Sequence, residues 1–371
     1  MMCMNMENKK KRIKIAQILN RMDNGGIEAV VLNYFRYIDK ELFQFDFYFD
    51  ERSLVPYREE LINLGAQLFP LPPYTRQRAY QQSLIKKLKS GQYDIVHVHM
   101  NTMSFFALIA AERAGIPIRI CHNHSTANWR ERRRTVLKFL LRPLNRLPST
   151  DWFACGKQAG EWMYGKKAVQ DSRVFILPNA IETKRFAFSE KDRISVRSEL
   201  GIGENVFVVG HVGRFMKQKN HKRLLRIFQV LVRKRPNAVL LLIGEGEMET
   251  SIRELAQKLN IENKIVFAGV RKDVHRFYSA MDTFCLPSLY EGFPVVLLET
   301  QGNGLPAVCS DRISEEVCLT NLVTRLSLEK EKLWADVLLM MKREKAVLPE
   351  IYEIRKAAEL LQDKYMELLH G

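Results

Sequence analysis

The chain of 371 residues is longer than one ordinary domain, and its apolar share of 46% is enough to bury two cores. The 58 basic residues exceed the 42 acidic ones by 16, which predicts anionic partners such as phosphorylated small molecules, acidic lipids or nucleic acid. None of the six cysteines forms a C-x-x-C pair, and no apolar run has the length of a membrane span or a signal peptide. These features exclude a disulfide scaffold and predict a reduced, cytosolic protein.

The first half of the chain alternates short apolar runs with helical patterns. Strands separated by helices predict a parallel, doubly wound sheet. The turn before Ile27 leads into a helix, and a second helix covers 107–114. The predicted strands are 13–19, 45–49, 95–98, 118–121, 152–154 and 174–177.

The same alternation restarts in the second half without any repeated sequence, which predicts two α/β domains, 1–180 and 181–345. The linker is expected at 178–188, and 346–371 is expected to form a C-terminal amphipathic helix that packs back towards the first domain. Predicted strands of the second half are 206–212, 239–243, 265–267, 283–286 and 307–309, and predicted helices are 222–234, 249–259, 274–280 and 294–302.

Two carboxylates flank the start of the predicted helix at 294–302. Glu291 precedes the helix, whereas Glu299 lies inside it, about 8 Å further along the axis. Pro294 suits the first helical position, and the unpaired amides near Val295 and Val296 form an anion site. One carboxylate can therefore face a sugar and the other a ribose. The alternative is an amphipathic helix with two incidental acids.

A basic loop follows the first strand of the second half. The sequence Gly-Arg-Phe-Met-Lys-Gln-Lys-Asn-His begins at Gly213 and contains Arg214 and Lys219. Fixed cations of this kind can stabilise a departing diphosphate where a magnesium ion otherwise would. The chain has no D-x-D sequence for such an ion. The alternative for this loop is ordinary basic surface.

Together, these motifs, the downstream Gly-Leu-Pro sequence and the Ser-Asp pair resemble the carboxyl-terminal domain of family-four retaining glycosyltransferases. The resemblance implies the GT-B fold, in which two Rossmann-like domains face each other across a cleft. It implies that Arg214 and Lys219 bind the donor diphosphate, Glu291 the donor sugar and Glu299 the ribose. Other donor-binding residues that it implies are Gly213, Val270, Arg271, Phe293, Pro294, Val295 and Val296.

Polar residues at strand ends of the first domain complete the predicted site. By resemblance, Gly26 contacts donor phosphate or acceptor, and His99 contacts the donor sugar as a catalytic residue. His124 and Asn123 are expected on the acceptor side, and His97 is expected to be a satisfied core residue. Histidines with H-x-H spacing can bind zinc, but no cysteine or carboxylate completes a zinc spacing, so no metal is expected.

The stretch 129–147, from Trp129 to Leu147, carries seven basic residues and one acidic residue, with apolar residues between them. Such a pattern is typical either of a solvated helix face packed on a core or of a segment that seeks anionic lipid headgroups. Related enzymes often act on lipid-linked acceptors, which favours contact with the inner face of the cytoplasmic membrane.

The expected function is a metal-independent retaining transferase without cofactors. It would move a hexose or N-acetylhexosamine from a UDP-sugar to a glycan or lipid-linked acceptor in surface polysaccharide synthesis, of the capsule or exopolysaccharide type. One alternative is a UDP-sugar 2-epimerase-like enzyme on the same architecture, which the carboxylate spacing and the basic loop disfavour. A nucleic-acid-binding protein is the other alternative, but the chain lacks an aromatic stacking signature.

Overall fold

The computed structural model of the protein describes residues 12–23, 25–125, 139 and 141–371. The chain divides into two compact units. The first unit consists of Met1–Ala154, Gly160–Leu177 and Ala358–Gly371, and the second consists of Cys155–Ala159 and Pro178–Ala357.

The first unit is built on a seven-stranded parallel sheet. Its strands are β1 (Ile13–Ile18), β2 (Phe43–Asp50), β3 (Leu68–Leu71), β4 (Ile95–Val98), β5 (Ile118–Asn123), β6 (Asp151–Ala154) and β7 (Val174–Ile176). The spatial order is β3-β2-β1-β4-β5-β6-β7, so the direction of winding reverses between β1 and β4. Every residue of β4 is buried, as expected where helices cover both faces of a parallel sheet.

The second unit repeats this plan with a six-stranded parallel sheet. Its strands are β8 (Phe207–Val212), β9 (Ala238–Ile243), β10 (Ile265–Phe267), β11 (Thr283–Leu286), β12 (Ala307–Ser310) and β13 (Val323–Leu326). The order β10-β9-β8-β11-β12-β13 places the reversal between β8 and β11. Ligands of open α/β sheets bind outside the carboxyl ends of the strands at such a reversal. The prediction of two Rossmann-like α/β domains is confirmed.

The helices pack on both sheets. The described helices are α1 (Gly26–Tyr37), α2 (Arg58–Asn63), α3 (Gln77–Gly91), α4 (Ser104–Arg113), α5 (Lys157–Tyr164), α6 (Lys166–Gln170), α7 (Thr183–Phe186), α8 (Glu190–Glu199), α9 (His221–Lys234), α10 (Glu249–Lys258), α11 (Val274–Ala280), α12 (Val295–Gly302), α13 (Glu331–Met340) and α14 (Ile354–His370). Helix α9 buries Leu224, Phe228 and Leu231 in one core cluster together with Trp334 of α13. None of the helices in the described ranges is long and apolar enough to cross a bilayer.

The C-terminal helix belongs to both units. Of the segment 346–371, regular α-helix covers only Ile354–His370, and from Ala358 onwards these residues are part of the first unit. Tyr365 is fully buried there, and its ring lies 5.9 Å from the ring of Phe43 and 6.2 Å from that of Phe45. The last turns of the chain therefore complete the core of the first unit.

Candidate active site

An ion pair spans the winding reversal of the second unit. Lys219 lies in a short 3₁₀ turn between β8 and α9, and Glu291 lies in the loop between β11 and α12. The Lys219 Nζ atom is 2.8 Å from Oε1 of Glu291, and the two side chains are only 15% and 9% exposed. Gln218 donates to the other carboxylate oxygen of Glu291 at 3.1 Å. Both predicted residues therefore meet at the carboxyl ends of adjacent strands.

A glycine turn after β9 holds the basic loop in place. A Cβ atom at Gly244, whose φ is +132°, would lie 2.3 Å from the carbonyl oxygen of Gly213. A Cβ atom at Gly246 would lie 2.5 Å from the carbonyl oxygen of Phe215. The Phe215 amide in turn donates to the carbonyl oxygen of Glu245 at 2.8 Å. These glycines allow the two loops to pack backbone against backbone.

Arg214 projects from the same loop as a second cation. The side chain is exposed, and in the part of the chain that the structure describes no carboxylate pairs with it. Lys219 is partly neutralised by Glu291, whereas Arg214 keeps its full charge available. The loop therefore offers one fixed and one free cation to an anion.

Helix α12 begins beside these residues. Pro294 is its N-cap rather than its first helical residue, with φ −69° and ψ 116°, so the helix starts at Val295. Among the described residues, no group accepts a hydrogen bond from the amides of Val295 or Val296. These amides can bind an anion at the positive end of the helix. The first turn contains no acidic residue that would compete.

Contacts with neighbouring residues hold Phe293 in place. The residue is 6% exposed, and its ring stacks on Tyr352 with ring centroids 5.7 Å apart. Its carbonyl oxygen accepts a 2.6 Å hydrogen bond from Asn179. These contacts fix the backbone of the loop that carries Glu291. The side chain of Phe293 therefore helps to position Glu291.

Glu299 lies in the second turn of α12 and is half-buried. Its carboxyl group accepts a 2.5 Å hydrogen bond from the hydroxyl of Tyr278 in α11. Burial raises the pKa of Glu299 to about 7, while the Tyr278 hydroxyl, Arg185 and Lys219 act in the opposite direction. Tyr278 was not among the residues predicted for the site, because its contact with Glu299 spans two helices.

The predicted donor-binding residues Val270 and Arg271 lie in the loop that follows β10. Val270 is 45% exposed. Arg271 forms ion pairs with Glu199 and with Asp273, and its guanidinium lies 4.4 Å from the centre of the Phe277 ring. Arg271 is therefore held by neighbouring helices, and Val270 is the side chain of this pair that is open to a ligand.

In the first unit, Gly26 is the exposed first residue of α1. A Cβ atom there would meet nothing within 4 Å, so the unit itself does not require glycine at this position. A Cβ atom at Gly25 would meet only the mobile end of the Glu28 side chain, and its φ of −97° is open to other residues, so glycine is not required there either. Asn24 of the same turn lies outside the described residues.

The predicted histidines of the first unit are buried and bonded to one another. Both ring nitrogens of His99 are engaged, Nδ1 with His124 at 2.9 Å and Nε2 with the side chain of Gln17 at 2.8 Å. The ring therefore has no free nitrogen for a sugar hydroxyl, and the structure gives no support for a sugar contact through it. His97 is 1% exposed with both nitrogens bonded, which fits the prediction of a core residue. Asn123 donates to the carbonyl oxygen of Ser125 at 2.7 Å.

Of the basic stretch 129–147, residues 129–138 and 140 lie outside the described part of the chain. In the remainder, Leu141 is buried, whereas Leu144 is 37% and Leu147 is 75% exposed. Arg146 lies over the ring of Trp152, 5.5 Å from its centre. The described end of the stretch thus combines core packing with exposed leucines.

Comparisons with known proteins agree with this arrangement. Residues 192–345 match the family described as "Glycosyl transferases group 1", and residues 24–185 match "Glycosyltransferase Family 4". A Bacillus subtilis (strain 168) protein named as a glycosyltransferase, EpsF, is 34% identical over 88% of this chain and 86% of its own length.

An Escherichia coli relative is 27% identical over 85% of this chain and 83% of its own length. That relative is named UDP-Gal:alpha-D-GlcNAc-diphosphoundecaprenol alpha-1,3-galactosyltransferase. Among solved structures, Anabaena Alr3699/HepE in complex with UDP and glucose aligns with a TM-score of 0.79 at 16% identity, covering 96% of this chain and all (100%) of that one. The similarity to this solved structure shows a shared fold only.

The raised pKa of Glu299 predicts a dependence of stability on pH. Between pH 4.5, the ordinary pKa, and about 7, the native state keeps a proton on Glu299 that the unfolded chain has lost. The native state binds more protons in this window, so the free energy of unfolding falls as pH rises through it. The change is at most about 3 kcal/mol, and the partial exposure of the residue reduces it.

Urea unfolding of the wild type and of Glu299→Gln, compared from about pH 5 to about pH 8, measures this effect. The difference between the two proteins removes the contribution of all other groups. Glu254→Gln, at an exposed position of α10, serves as the matched control and is expected to keep the wild-type profile. Parallel profiles for the wild type and Glu299→Gln would contradict the raised pKa.

Proposed function

The chain belongs to family 4 of the glycosyltransferases, and on that premise we propose that it transfers a hexose or N-acetylhexosamine from a UDP-sugar to a glycan or lipid-linked saccharide. The transfer retains the anomeric configuration and needs no divalent cation at the donor phosphates. We assign this transfer to surface polysaccharide synthesis, on the cytoplasmic side of the membrane.

One observation carries this proposal. Lys219, Glu291, the exposed Arg214 and the open start of α12 meet where the winding of the second sheet reverses. A diphosphate needs positive charge and hydrogen-bond donors, and a sugar needs a hydrogen-bond acceptor beside them. This part of the second unit supplies all of these from groups of the protein itself.

In the proposed reaction, the bond between the anomeric carbon and the β-phosphate oxygen breaks, and UDP leaves. Lys219, Arg214 and the amides of Val295 and Val296 stabilise the negative charge that develops on the leaving oxygen. The acceptor hydroxyl attacks the anomeric carbon from the face that UDP leaves. Its proton passes to the departing phosphate oxygen, so no nucleophile of the enzyme is required.

The two carboxylates have separate roles in this proposal. Glu291 accepts hydrogen bonds from hydroxyls of the donor sugar in this proposal, and its ion pair holds the Lys219 ammonium group next to the same carboxylate. Glu299 binds the ribose, with Tyr278 holding its carboxyl group in position. Acceptor recognition is assigned to the first unit, which contains Gly26, Asn123 and His124.

The donor and acceptor classes rest on the relatives. The named reaction of the Escherichia coli relative uses UDP-Gal and a sugar on diphosphoundecaprenol, and that protein matches this chain over most of its length. A Campylobacter jejuni relative is also named for an acceptor on diphospho-undecaprenol. We extend the donor class and the lipid-linked acceptor to this chain, without choosing the sugar.

A panel of nucleotide sugars, incubated without acceptor in the presence of EDTA, tests the proposal. At least one UDP-sugar is expected to be hydrolysed slowly to UDP and free sugar, because water replaces the missing acceptor. Replacing the EDTA with manganese should change this rate by no more than about twofold, since cations of the protein stabilise the leaving group. Chromatography of the products measures both outcomes.

Two results would contradict the proposal. A new UDP-sugar formed without release of UDP would indicate an epimerase. Activity that appears only with manganese would show that the leaving group requires a bound cation.

Substitutions separate the roles of Lys219 and Glu299. Lys219→Ala is expected to lower turnover by about 10²- to 10³-fold, because it removes charge that acts on the leaving group. Glu299→Ala is expected to weaken UDP binding by about tenfold, as expected for the loss of hydrogen bonds to ribose. Steady-state kinetics and calorimetric titration with UDP measure the two effects.

Exposed residues provide the matched controls. Lys217→Ala removes a neighbouring cation of the same loop, and Glu254→Ala removes an acid from α10. Both controls are expected to retain wild-type turnover and UDP affinity. Wild-type values in Lys219→Ala and in Glu299→Ala would show that the two assignments are wrong.

We also propose that the basic stretch 129–147 contacts anionic membrane, which would bring the enzyme to a lipid-linked acceptor. Its net charge and exposed leucines support this. Sedimentation with vesicles containing phosphatidylglycerol is expected to bind the protein at low salt and to release it at high salt. Replacement of Arg132, Arg133 and Arg134 by serine should weaken this binding by about tenfold or more.

The control removes three charges elsewhere, by replacing the exposed Lys330, Lys332 and Lys342 with serine. If binding depends only on net charge, both triple variants will lose it equally, and the assignment to this stretch fails. Binding that is equally strong to neutral phosphatidylcholine vesicles would also contradict it.

A further inference from the structure

A segment without regular secondary structure crosses the ends of two helices of the proposed donor site. Residues 341–349 connect α13 to the 3₁₀ turn Glu350–Tyr352. Gly304, just after α12, has a φ of +67°, and a Cβ atom on it would lie 2.5 Å from the carbonyl oxygen of Glu344. The Glu344 amide donates to the carbonyl oxygen of Gly304 at 3.2 Å. The glycine of the Gly-Leu-Pro sequence therefore allows this segment to pack directly on the end of α12.

Arg343 of this segment hydrogen-bonds to both helix ends. At the end of α11, Nη2 donates to the carbonyl oxygens of Tyr278 and Met281 at 2.5 and 2.8 Å. At the end of α12, Nη1 donates to the carbonyl oxygen and to the side-chain oxygen of Asn303, at 2.8 and 2.7 Å. The Asn303 amide in turn donates to the carbonyl oxygen of Glu299 at 3.0 Å. One guanidinium group therefore connects the backbone that carries Tyr278 with the backbone that carries Glu299.

The charge and the shape of arginine suit this position. The last carbonyl groups of a helix lack partners within the helix and form its negative end, which a cation stabilises. Burial lowers the pKa of Arg343 to about 10, and Arg193 acts in the same direction, so the guanidinium group still carries its charge near pH 7. Its central carbon lies 4.7 Å from the centre of the Phe188 ring. A planar fork can bond two acceptors on each side, whereas an ammonium group acts as a single point charge.

We propose that Arg343 is a positioning residue for the ribose subsite of the donor. The hydrogen bond between the Tyr278 hydroxyl and the Glu299 carboxyl group depends on the relative placement of α11 and α12. Arg343 fixes that placement and so holds the carboxyl group in one orientation towards the ribose hydroxyls. It acts through Glu299 rather than on the donor itself. This role rests on the proposed function, in which Glu299 binds the ribose.

Positioning of Glu299 differs measurably from a contribution to stability alone. Removal of a residue that only stabilises the second unit leaves the relative affinities of UDP analogues unchanged. Removal of a residue that aligns Glu299 lowers the preference for an intact ribose, because hydrogen bonds weaken steeply with poor alignment. Analogues of UDP that lack the 2′ or the 3′ hydroxyl of the ribose measure this preference.

Calorimetric titration at about pH 8, above the pKa of Glu299, compares UDP with 2′-deoxy-UDP and 3′-deoxy-UDP. The wild type is expected to bind UDP about tenfold more tightly than at least one of the two analogues. Arg343→Met should reduce this ratio to about twofold or less, because neither helix end keeps its hydrogen bonds. Arg343→Lys keeps the charge and most of the volume but not the fork, and should reduce the ratio to about threefold. If Arg343→Met does not fold, the lysine variant decides the test.

Arg193→Met is the matched control. Among the described residues, Arg193 hydrogen-bonds to the carbonyl oxygens of 279–281 at the same end of α11 and to Asp282, but to no residue of α12. This variant is expected to lower the free energy of unfolding in urea while keeping the tenfold ratio of the wild type. An equal loss of the ratio in Arg193→Met and in the Arg343 variants would overturn the proposal, since the effect would then follow stability.

Glu299→Ala separates this inference from the proposed function. If the wild type binds all three ligands equally, Glu299 does not recognise the ribose, and the assignment of Glu299 and the role of Arg343 fail together. If the ratio falls in Glu299→Ala but stays near tenfold in the folded Arg343 variants, only the role of Arg343 is wrong. Loss of the ratio in Glu299→Ala and in the Arg343 variants, with the control unchanged, is the result expected.

Discussion

The ion pair between Lys219 and Glu291 is the interaction on which the proposed chemistry depends. It joins the loop after β8 to the loop after β11, and each of these loops carries a further part of the proposed donor site. A largely buried pair of this kind costs about 3–5 kcal/mol when one partner is removed, because the other charge is left without compensation. The pair therefore holds both loops in one arrangement before any donor binds. Such pre-organisation is what electrostatic stabilisation of a leaving group requires.

Local pattern was sufficient to predict most of the central strands and the carboxylate pair. Both depend on residues close together in the chain, such as the continuous apolar run of β9. Edge elements were harder to predict. Strand β3 contains Pro70, which argues against a strand except at a sheet edge, where β3 lies. Strand β13 and helices α3 and α13 were not predicted, and the linker proposed at 178–188 includes the short helix α7.

The contacts that define side-chain chemistry were not accessible from sequence, because they join residues far apart in the chain. Tyr365 reaches His97 across 268 positions, and Tyr278 reaches Glu299 between two helices. Spacing alone could not reveal that both ring nitrogens of His99 are bonded within the first unit. For the same reason, spacing could not reveal that the two H-x-H pairs are hydrogen-bonded to each other across adjacent strands.

The central claim is that groups of the protein alone hold the diphosphate of the donor. Calorimetric titration of the enzyme with uridine, UMP and UDP, in a buffer free of divalent cations, tests it most directly. If the claim holds, affinity rises at each added phosphate, with UDP binding at least about tenfold more tightly than UMP. Equal affinities for uridine and UDP, or UDP binding that appears only after magnesium or manganese is added, would contradict it.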